Sequence, residues 1–286
     1  MNAVLDCIPC LVRQMREATR LAGVAAVQQE WLLRRGLRLL VEGDWTLPPP
    51  CMAQQLQRLL REATGINDPY RRVKQELNDR ALKAYPSLKQ WVTESEDPFA
   101  AAVCLAVDGN LLDCGAMAEG ELPDVERLLR SADPEALREP ILELRQACAA
   151  ARHILYLADN AGEIVLDRLL LERLPADKVV LAVRGAPAIN DATLADAEAA
   201  GLTSRFTVVD NGSDIPGTVL DDTSASFREH FDRADLVIAK GQGNYETLSD
   251  VDKNIFFLFR VKCPAVASRI GRAEGSRVVV SSRRLR

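Results

Sequence analysis

No apolar run in the sequence approaches the roughly 18 residues that a membrane-spanning helix needs, so no membrane partner is expected. The first residues, Met1-Asn2-Ala3-Val4-Leu5-Asp6, have no basic stretch ahead of a long apolar core, which argues against a secretory leader. Positive charge is not in surplus: 36 Lys and Arg face 41 Asp and Glu, for a net charge of −5, with both signs mixed along the chain. A nucleic-acid protein working through a basic surface is thereby excluded. A small phosphorylated ligand is not, because it needs only a local cation. Histidine is scarce. His153 and His230 have no spaced partners, so neither a general base nor a metal set is built on them. The seven cysteines are odd in number and irregularly spaced, which fits a reduced, cytoplasmic protein better than a disulfide framework. Cys7 and Cys10 form one Cys-x-x-Cys with no second copy, against a structural zinc site within this chain. On a helix these two share a face. They then read as small buried apolar residues, as a redox pair, or as half of a soft-metal site completed by Cys51, Cys104, Cys114 or a second chain. Internal repeats and low-complexity linkers are also missing.

The sequence does have core material: 48% of its 286 residues are hydrophobic, enough for one large domain or two ordinary ones. Residues 1–96 show helical spacing and no strand-like run, which predicts an all-helical N-terminal region. Helices are expected over Leu5 to Leu21, Val27 to Val41, Cys51 to Thr64, and from Pro69 to about Tyr85, with Pro86 opening a break. Phe99 to Val107 is small and apolar throughout, as in a helix buried on all sides. A Gly/Asn/Asp-rich turn follows from Asp108, and Pro134 to Ala151 reads as another helix. From His153 onward, short apolar runs alternate with helical patterns. Strands are expected at His153 to Leu157, Val179 to Val183, Phe206 to Val209, Leu236 to Ala239, Ala265 to Ser268 and Val278 to Val280. Such alternation predicts crossover units and a mainly parallel sheet over residues 97–286, an α/β class with three α/β/α layers.

Parallel strands end on one rim, and ligands bind there. The loops at that rim carry Asp159-Asn160-Ala161-Gly162-Glu163, Arg184 to Thr193 with Asn190 and Asp191, Asp210 to Asp214, and Lys240-Gly241-Gln242-Gly243-Asn244. Asp159, Asn160 and Asp191 offer hard oxygen donors suited to a divalent cation such as Mg²⁺ or Mn²⁺. Lys240 can meet a phosphate as a point charge, with backbone N–H groups exposed at Gly241 and Gly243. The plainer reading of Asp159-Asn160, and of Asp191, is helix capping. The pair Gly241-x-Gly243 lacks the third glycine of a dinucleotide-binding loop.

Six strings taken in order resemble a known family, the metal-dependent damage-control phosphatases, also called acidic-residue-methyltransferase-like proteins. They are Cys7-x-x-Cys10 with Gln14, Asn67-Asp68-Pro69-Tyr70 with Lys74, Gly109-Asn110-x-x-Asp113, Asp159 to Glu163, Ile189 to Thr193, and Lys240 to Glu246. The early Cys-x-x-Cys resembles the mainly prokaryotic branch. The resemblance implies a helical region packed on a three-layer α/β/α domain. It also implies hydrolysis of phosphate monoesters of small, including damaged, metabolites, with Mg, Mn, Co or Ni as the divalent metal. Carried over residue by residue, it assigns Asp159, Asn160 and Asp191 to the metal. Lys240 goes to the substrate phosphate, with Asn244 beside it and Lys262 as a second lysine. Outside the resemblance, Gly241 joins the substrate contacts through its backbone N–H, and Asn110 reads either as turn chemistry or as a residue reaching the cleft. The nucleophile is left open between the Asp159 carboxylate and a water activated by the cation. Two other classes stand beside this one. One is a non-catalytic metabolite- or nucleotide-binding protein carrying a redox or metal-binding Cys pair. The other is a carboxyl methyltransferase, disfavoured because no glycine-rich loop follows the first strand with an acid at the next strand end. The specific phosphate ester and the oligomeric state have no signature in the sequence.

Overall fold

The computed structural model describes residues 1–109 and 134–285. Its chain begins with helices α1 (Cys7–Leu21), α2 (Ala26–Glu42), α3 (Pro49–Thr64) and α4 (Arg71–Glu94). Pro49 and Pro50 start α3 with their φ already near the helical value. Gly65, at φ 72°, closes it in the left-handed region. Leu11, Met15, Leu32, Leu40, Leu56 and Leu60 form the shared core of α1 to α3.

The break expected at Pro86 does not occur, and α4 runs through it. A helix-interior proline costs about 3 kcal/mol. On either side of it Ala81, Tyr85, Leu88 and Val92 are buried in the core beneath the sheet, each large side chain contributing about 1.5–3 kcal/mol. That burial outweighs the proline, whose ring lies exposed. One half of α4 thus serves the helical core through Leu77, and the other half serves the α/β core.

Asp97 caps α5 (Pro98–Asp108) by accepting from the Ala100 N–H at 3.0 Å. Every residue from Ala100 to Asp108 is buried, as predicted for a helix apolar on all sides. Asn110, Asp113 and Cys114 lie outside the described residues. Helix α6 (Arg138–Ala150) then leads to β1 (Ile154–Leu157). After it come α7 (Glu163–Leu171), β2 (Val179–Val183), α8 (Leu194–Ala199), β3 (Thr207–Asp210), α9 (Ala225–Arg233), β4 (Leu236–Lys240), α10 (Gly241–Leu248), β5 (Ile255–Arg260), α11 (Pro264–Ile270) and β6 (Arg277–Ser281).

The six strands form one sheet in the order β3-β2-β1-β4-β5-β6, parallel except for β6, which runs antiparallel to β5. Side chains alternate between the two faces. Tyr156, Ile238, Phe256 and Leu258 pack in the core that includes α4 to α7. Leu155, Leu157, Val237, Phe257 and Phe259 pack with Phe227, Phe231 and Tyr245 on the other face. The α/β fold with a mainly parallel sheet and a helical N-terminal region is therefore borne out. The strand expected at Ala265 to Ser268 is corrected: these residues lie in α11. Pro264 sits in its first turn and Gly271, at φ 66°, ends it, and those two helix signals outweigh a four-residue apolar run.

Candidate metal and phosphate site

Strand order reverses between β1 and β4, because β2 follows β1 on one side and β4 lies on the other. That switch point opens a crevice at the carboxyl ends of the strands. Asp159 and Asn160 leave β1 there, and the loop from Arg184 to Thr193 leaves β2 beside them. The two loops are clasped by backbone bonds: Ala161 N–H donates to Asn190 O at 2.9 Å and Ala192 N–H to Asp159 O at 2.7 Å. Asn160 and Asp191 become direct antiparallel neighbours through this clasp. Ile189 takes φ 51°, rare for a β-branched residue, to turn the loop just before Asn190. The helical region reaches the same corner. Asn78 of α4 accepts the Gly162 N–H at 2.7 Å, and Gly162 holds φ 77° against Leu77.

Each expected donor has a partner behind it. Arg184, 2% exposed, donates from Nε to Asp191 Oδ2 at 2.6 Å and lies 3.8 Å from Asp159 Oδ1. Asn160 Nδ2 donates to Asp159 Oδ2 at 2.7 Å and to Glu163 Oε2 at 2.9 Å. Burial, together with the charges of Asp191 and Glu163, pushes the Asp159 carboxyl well above the ordinary carboxylate range, against the opposing pull of Lys262 and Arg184. Two carboxylates and an amide converge where negative charge is held at a cost. This donor set fits a hard divalent cation.

Asp159, Asn160 and Asp191 all line a cavity of about 550 Å³ between the helical region and the rim of the sheet. Its other walls include Cys7, Cys10 and Gln14 from α1, and Gln242, Glu246, Lys262 and Cys263 from the α/β side. Lys262 is exposed, and its charge acts on both Asp159 and Glu246, so it stands over the cleft as a cation. Glu246 is buried and accepts from Gln242 Nε2 at 2.8 Å. Burial lifts its carboxyl to about 7. Cys7 and Cys263 are half-buried, and burial pushes both thiols up, away from thiolate reactivity. Among the described residues, no three His, Cys, Asp or Glu side chains form a ready metal cage around the cysteines.

Three expected substrate contacts are placed elsewhere. Lys240 is 0% exposed and does not line the cleft. Its ammonium donates to Asp167 Oδ1 at 2.5 Å, Glu163 Oε1 at 2.6 Å and the Ala106 carbonyl at 2.8 Å. Gly241 faces Asp159, with no room for a side chain between them. Asn244 is fully buried, donating to Lys240 O at 2.7 Å and accepting from Thr218 Oγ1 at 2.8 Å. These residues brace the site from inside the sheet rim. The sequence reading missed Arg184 and Asp167. The signal for Arg184 was available, since it is a charged residue directly after the apolar β2, as Lys240 is at the end of β4. Asp167 was legible as the residue one helical turn past Glu163, on the same face of α7.

A mainly parallel sheet with a carboxylate–amide cluster at its switch point defines an α/β protein with its candidate ligand site at that rim. The damage-control phosphatase ARMT1-like domain matches residues 3–278, and the chain belongs to this family. A damage-control phosphatase of Pyrococcus horikoshii is 32% identical over 99% of both chains. A damage-control phosphatase of Archaeoglobus fulgidus is 35% identical over 82% of this chain and 83% of the relative. The crystal structure of a DUF89 family protein from Pyrococcus horikoshii superposes with a TM-score of 0.86 at 29% identity, covering 99% of each chain.

Proposed function

We propose that the protein is a divalent-metal-dependent phosphatase that hydrolyses phosphate monoesters of small metabolites, among them damaged ones, such as sugar phosphates or cofactor-related phosphates. The observation that carries this reading is the convergence of Asp159, Asn160 and Asp191 on one cleft wall, with the Asp159 carboxyl raised by burial first and by the negative charge of Asp191 and Glu163 second. The relatives named damage-control phosphatases support the reaction class.

Asp159, Asn160 and Asp191 would hold the cation, with Mg²⁺, Mn²⁺, Co²⁺ and Ni²⁺ as the candidates. When bound, such an ion offsets carboxylate charge and polarises a phosphate oxygen. Lys262 is the cleft-facing cation suited to the phosphate, replacing Lys240 in that role. Arg184 fixes the Asp191 carboxylate, and Asn160 fixes that of Asp159. Asp159 would then be oriented either to attack phosphorus itself, breaking the P–O ester bond so that the alcohol leaves with a proton from water and a second water hydrolyses the aspartyl-phosphate to carboxylate and phosphate, or to orient a water that displaces the alcohol directly.

The test is phosphate release from a broad panel of phosphate esters by metal-stripped protein, with each of the four metals restored in turn. Activity that returns with metal is expected. Silence across the panel with every metal sinks the proposal. Asp159→Ala and Asp191→Ala should each abolish Mn²⁺ binding in a direct titration, and full affinity in either would overturn the ligand set.

A further inference from the structure

We infer that Lys240 is a positioning residue: through Glu163 it fixes which atom of Asn160 the cleft presents. This rests on the proposed metal site and goes beyond it. Asn160 has one amide group with two ends, an N–H₂ that only donates and an oxygen that only accepts. Its Nδ2 meets two carboxylates, Asp159 Oδ2 at 2.7 Å and Glu163 Oε2 at 2.9 Å. Both acidic oxygens accept from this nitrogen, so the N–H₂ end faces them. The amide oxygen is left as the cleft-side atom, and an oxygen is what a hard cation requires.

Glu163 performs this orientation only while it is an acceptor on both oxygens. Oε2 takes Asn160, and Oε1 takes the Lys240 ammonium at 2.6 Å. Glu163, Asp167 and Lys240 are all 0% exposed, so water is not there to do the same. Lys240 is itself fixed by Asp167 Oδ1 and the Ala106 carbonyl, which uses its three donors on three oxygens. A chain therefore runs from α5 and α7 through Lys240 and Glu163 to Asn160. The lysine at the strand end faces inward because two acids on α7, one turn apart, wait for it there.

The experiment is direct titration of metal-stripped, full-length protein with Mn²⁺, followed by calorimetry or the spin signal of the free ion. Wild type is compared with Glu163→Gln, Lys240→Met and Lys240→Arg. Glu163→Gln keeps the volume and can still accept from Lys240, but it turns its N–H₂ end toward Asn160 and forces the Asn160 amide to rotate. Mn²⁺ affinity is expected to fall by about 10- to 100-fold in Glu163→Gln and Lys240→Met, the usual effect of removing an outer partner of a ligand. At saturating Mn²⁺, the KM for p-nitrophenyl phosphate and inhibition by inorganic phosphate should stay near wild type. Should Lys240→Met fail to fold, as judged by circular dichroism, Glu163→Gln carries the test, and Lys240→Arg, which keeps a cation for Glu163, is expected to bind Mn²⁺ more tightly than Glu163→Gln. The inference is overturned if folded Glu163→Gln or Lys240→Met binds Mn²⁺ as tightly as wild type, or if their main defect is weaker phosphate inhibition, as a phosphate-contacting lysine would give. A wild type that binds none of Mg²⁺, Mn²⁺, Co²⁺ and Ni²⁺ overturns the proposed function itself, which separates the two failures.

Discussion

Gly241 and the Asp159 carboxylate occupy one corner of the site so closely that a β-carbon on Gly241 would fall 1.9 Å from Asp159 Oδ2. Gly241 also holds φ 78°, where any other residue is strained. Two independent costs therefore meet at this position. The backbone cost is about 1–2 kcal/mol. The clash cannot relax without moving Asp159 off its bond with Asn160. Gly241→Ala is expected to lose Mn²⁺ affinity by more than an order of magnitude, while thermal unfolding shows a folded protein of reduced stability. Wild-type Mn²⁺ affinity in this variant would show that Asp159 is not held where the metal site needs it.

The parts of this fold that were legible in the sequence are those set by periodicity and punctuation. The apolar runs at Ile154–Leu157, Val179–Val183 and Leu236–Lys240 are buried strands because they are short, continuous and followed by polar turns. The neighbourhood of Asp159, Asn160 and Asp191 was legible too, since parallel strands deliver their carboxyl ends to one rim. What could not be read was direction within the rim. Lys240 looks the same in sequence whether its ammonium faces the cleft or the helical layer. Only the placement of Glu163 and Asp167 on the inner face of α7 decides. Pro86 was misread for a related reason, because local chemistry opposed the helix and tertiary burial prevailed.

Arg184 donates to Asp191 and, through its remaining nitrogens, to Thr218 Oγ1 and Asn244 Oδ1 at 3.3 and 3.4 Å. Replacing it with methionine keeps much of the apolar volume and leaves the Asp191 carboxylate without its cation. Removing one partner of a buried pair costs about 3–5 kcal/mol. Arg184→Met should lose stability on that order in urea unfolding of the metal-free protein. Saturating Mn²⁺ should recover part of the loss, since a ligand at 100 times its dissociation constant adds about 2.7 kcal/mol. A loss under about 1 kcal/mol would show that the pair contributes little beyond what Asp191 finds elsewhere.

The helical region is pinned to the sheet rim through Asp214, which accepts from Gln54 at 2.5 Å and from Arg58 at 2.6 and 3.0 Å, and also from Arg61. Arg61 further donates to the Pro187 carbonyl at 3.0 Å, in the loop that carries Asp191. Burial alone would raise the Asp214 carboxyl, but the bonds from Arg58 and Gln54 overcome it and hold it below the usual range. A depressed carboxyl contributes stability above its unfolded value of about 3.9, and that contribution is lost as pH falls through the folded value. Asp214→Asn should therefore destabilise the protein by about 1–3 kcal/mol at pH 7. The difference from wild type should shrink toward pH 3. A deficit that stays constant across that range would assign the effect to packing and not to the charge.

Glu246 gives the opposite sign. Its carboxyl is raised to about 7, by burial first, with Gln242, the chain's amino terminus and Lys262 opposing. The Cys7 and Cys263 thiols also lie within electrostatic reach of it. The unfolded value is about 4.3, so between about 4.3 and 7 the folded protein binds more protons than the unfolded one. Stability from this group is fully present below about 4.3 and falls as pH rises through about 7, by up to roughly 1.4 kcal/mol per pH unit. Glu246→Gln mimics the protonated form and removes that slope. The expected result is that the stability of wild type relative to Glu246→Gln declines as the buffer moves from pH 4.5 to 7.5, on the order of 2–4 kcal/mol in total. Parallel pH profiles for the two proteins would mean that Glu246 titrates as an ordinary carboxylate open to the cleft. Paired urea titrations at closely spaced pH values decide between these outcomes, and Mn²⁺ is left out so that Asp159 behaves identically in both proteins.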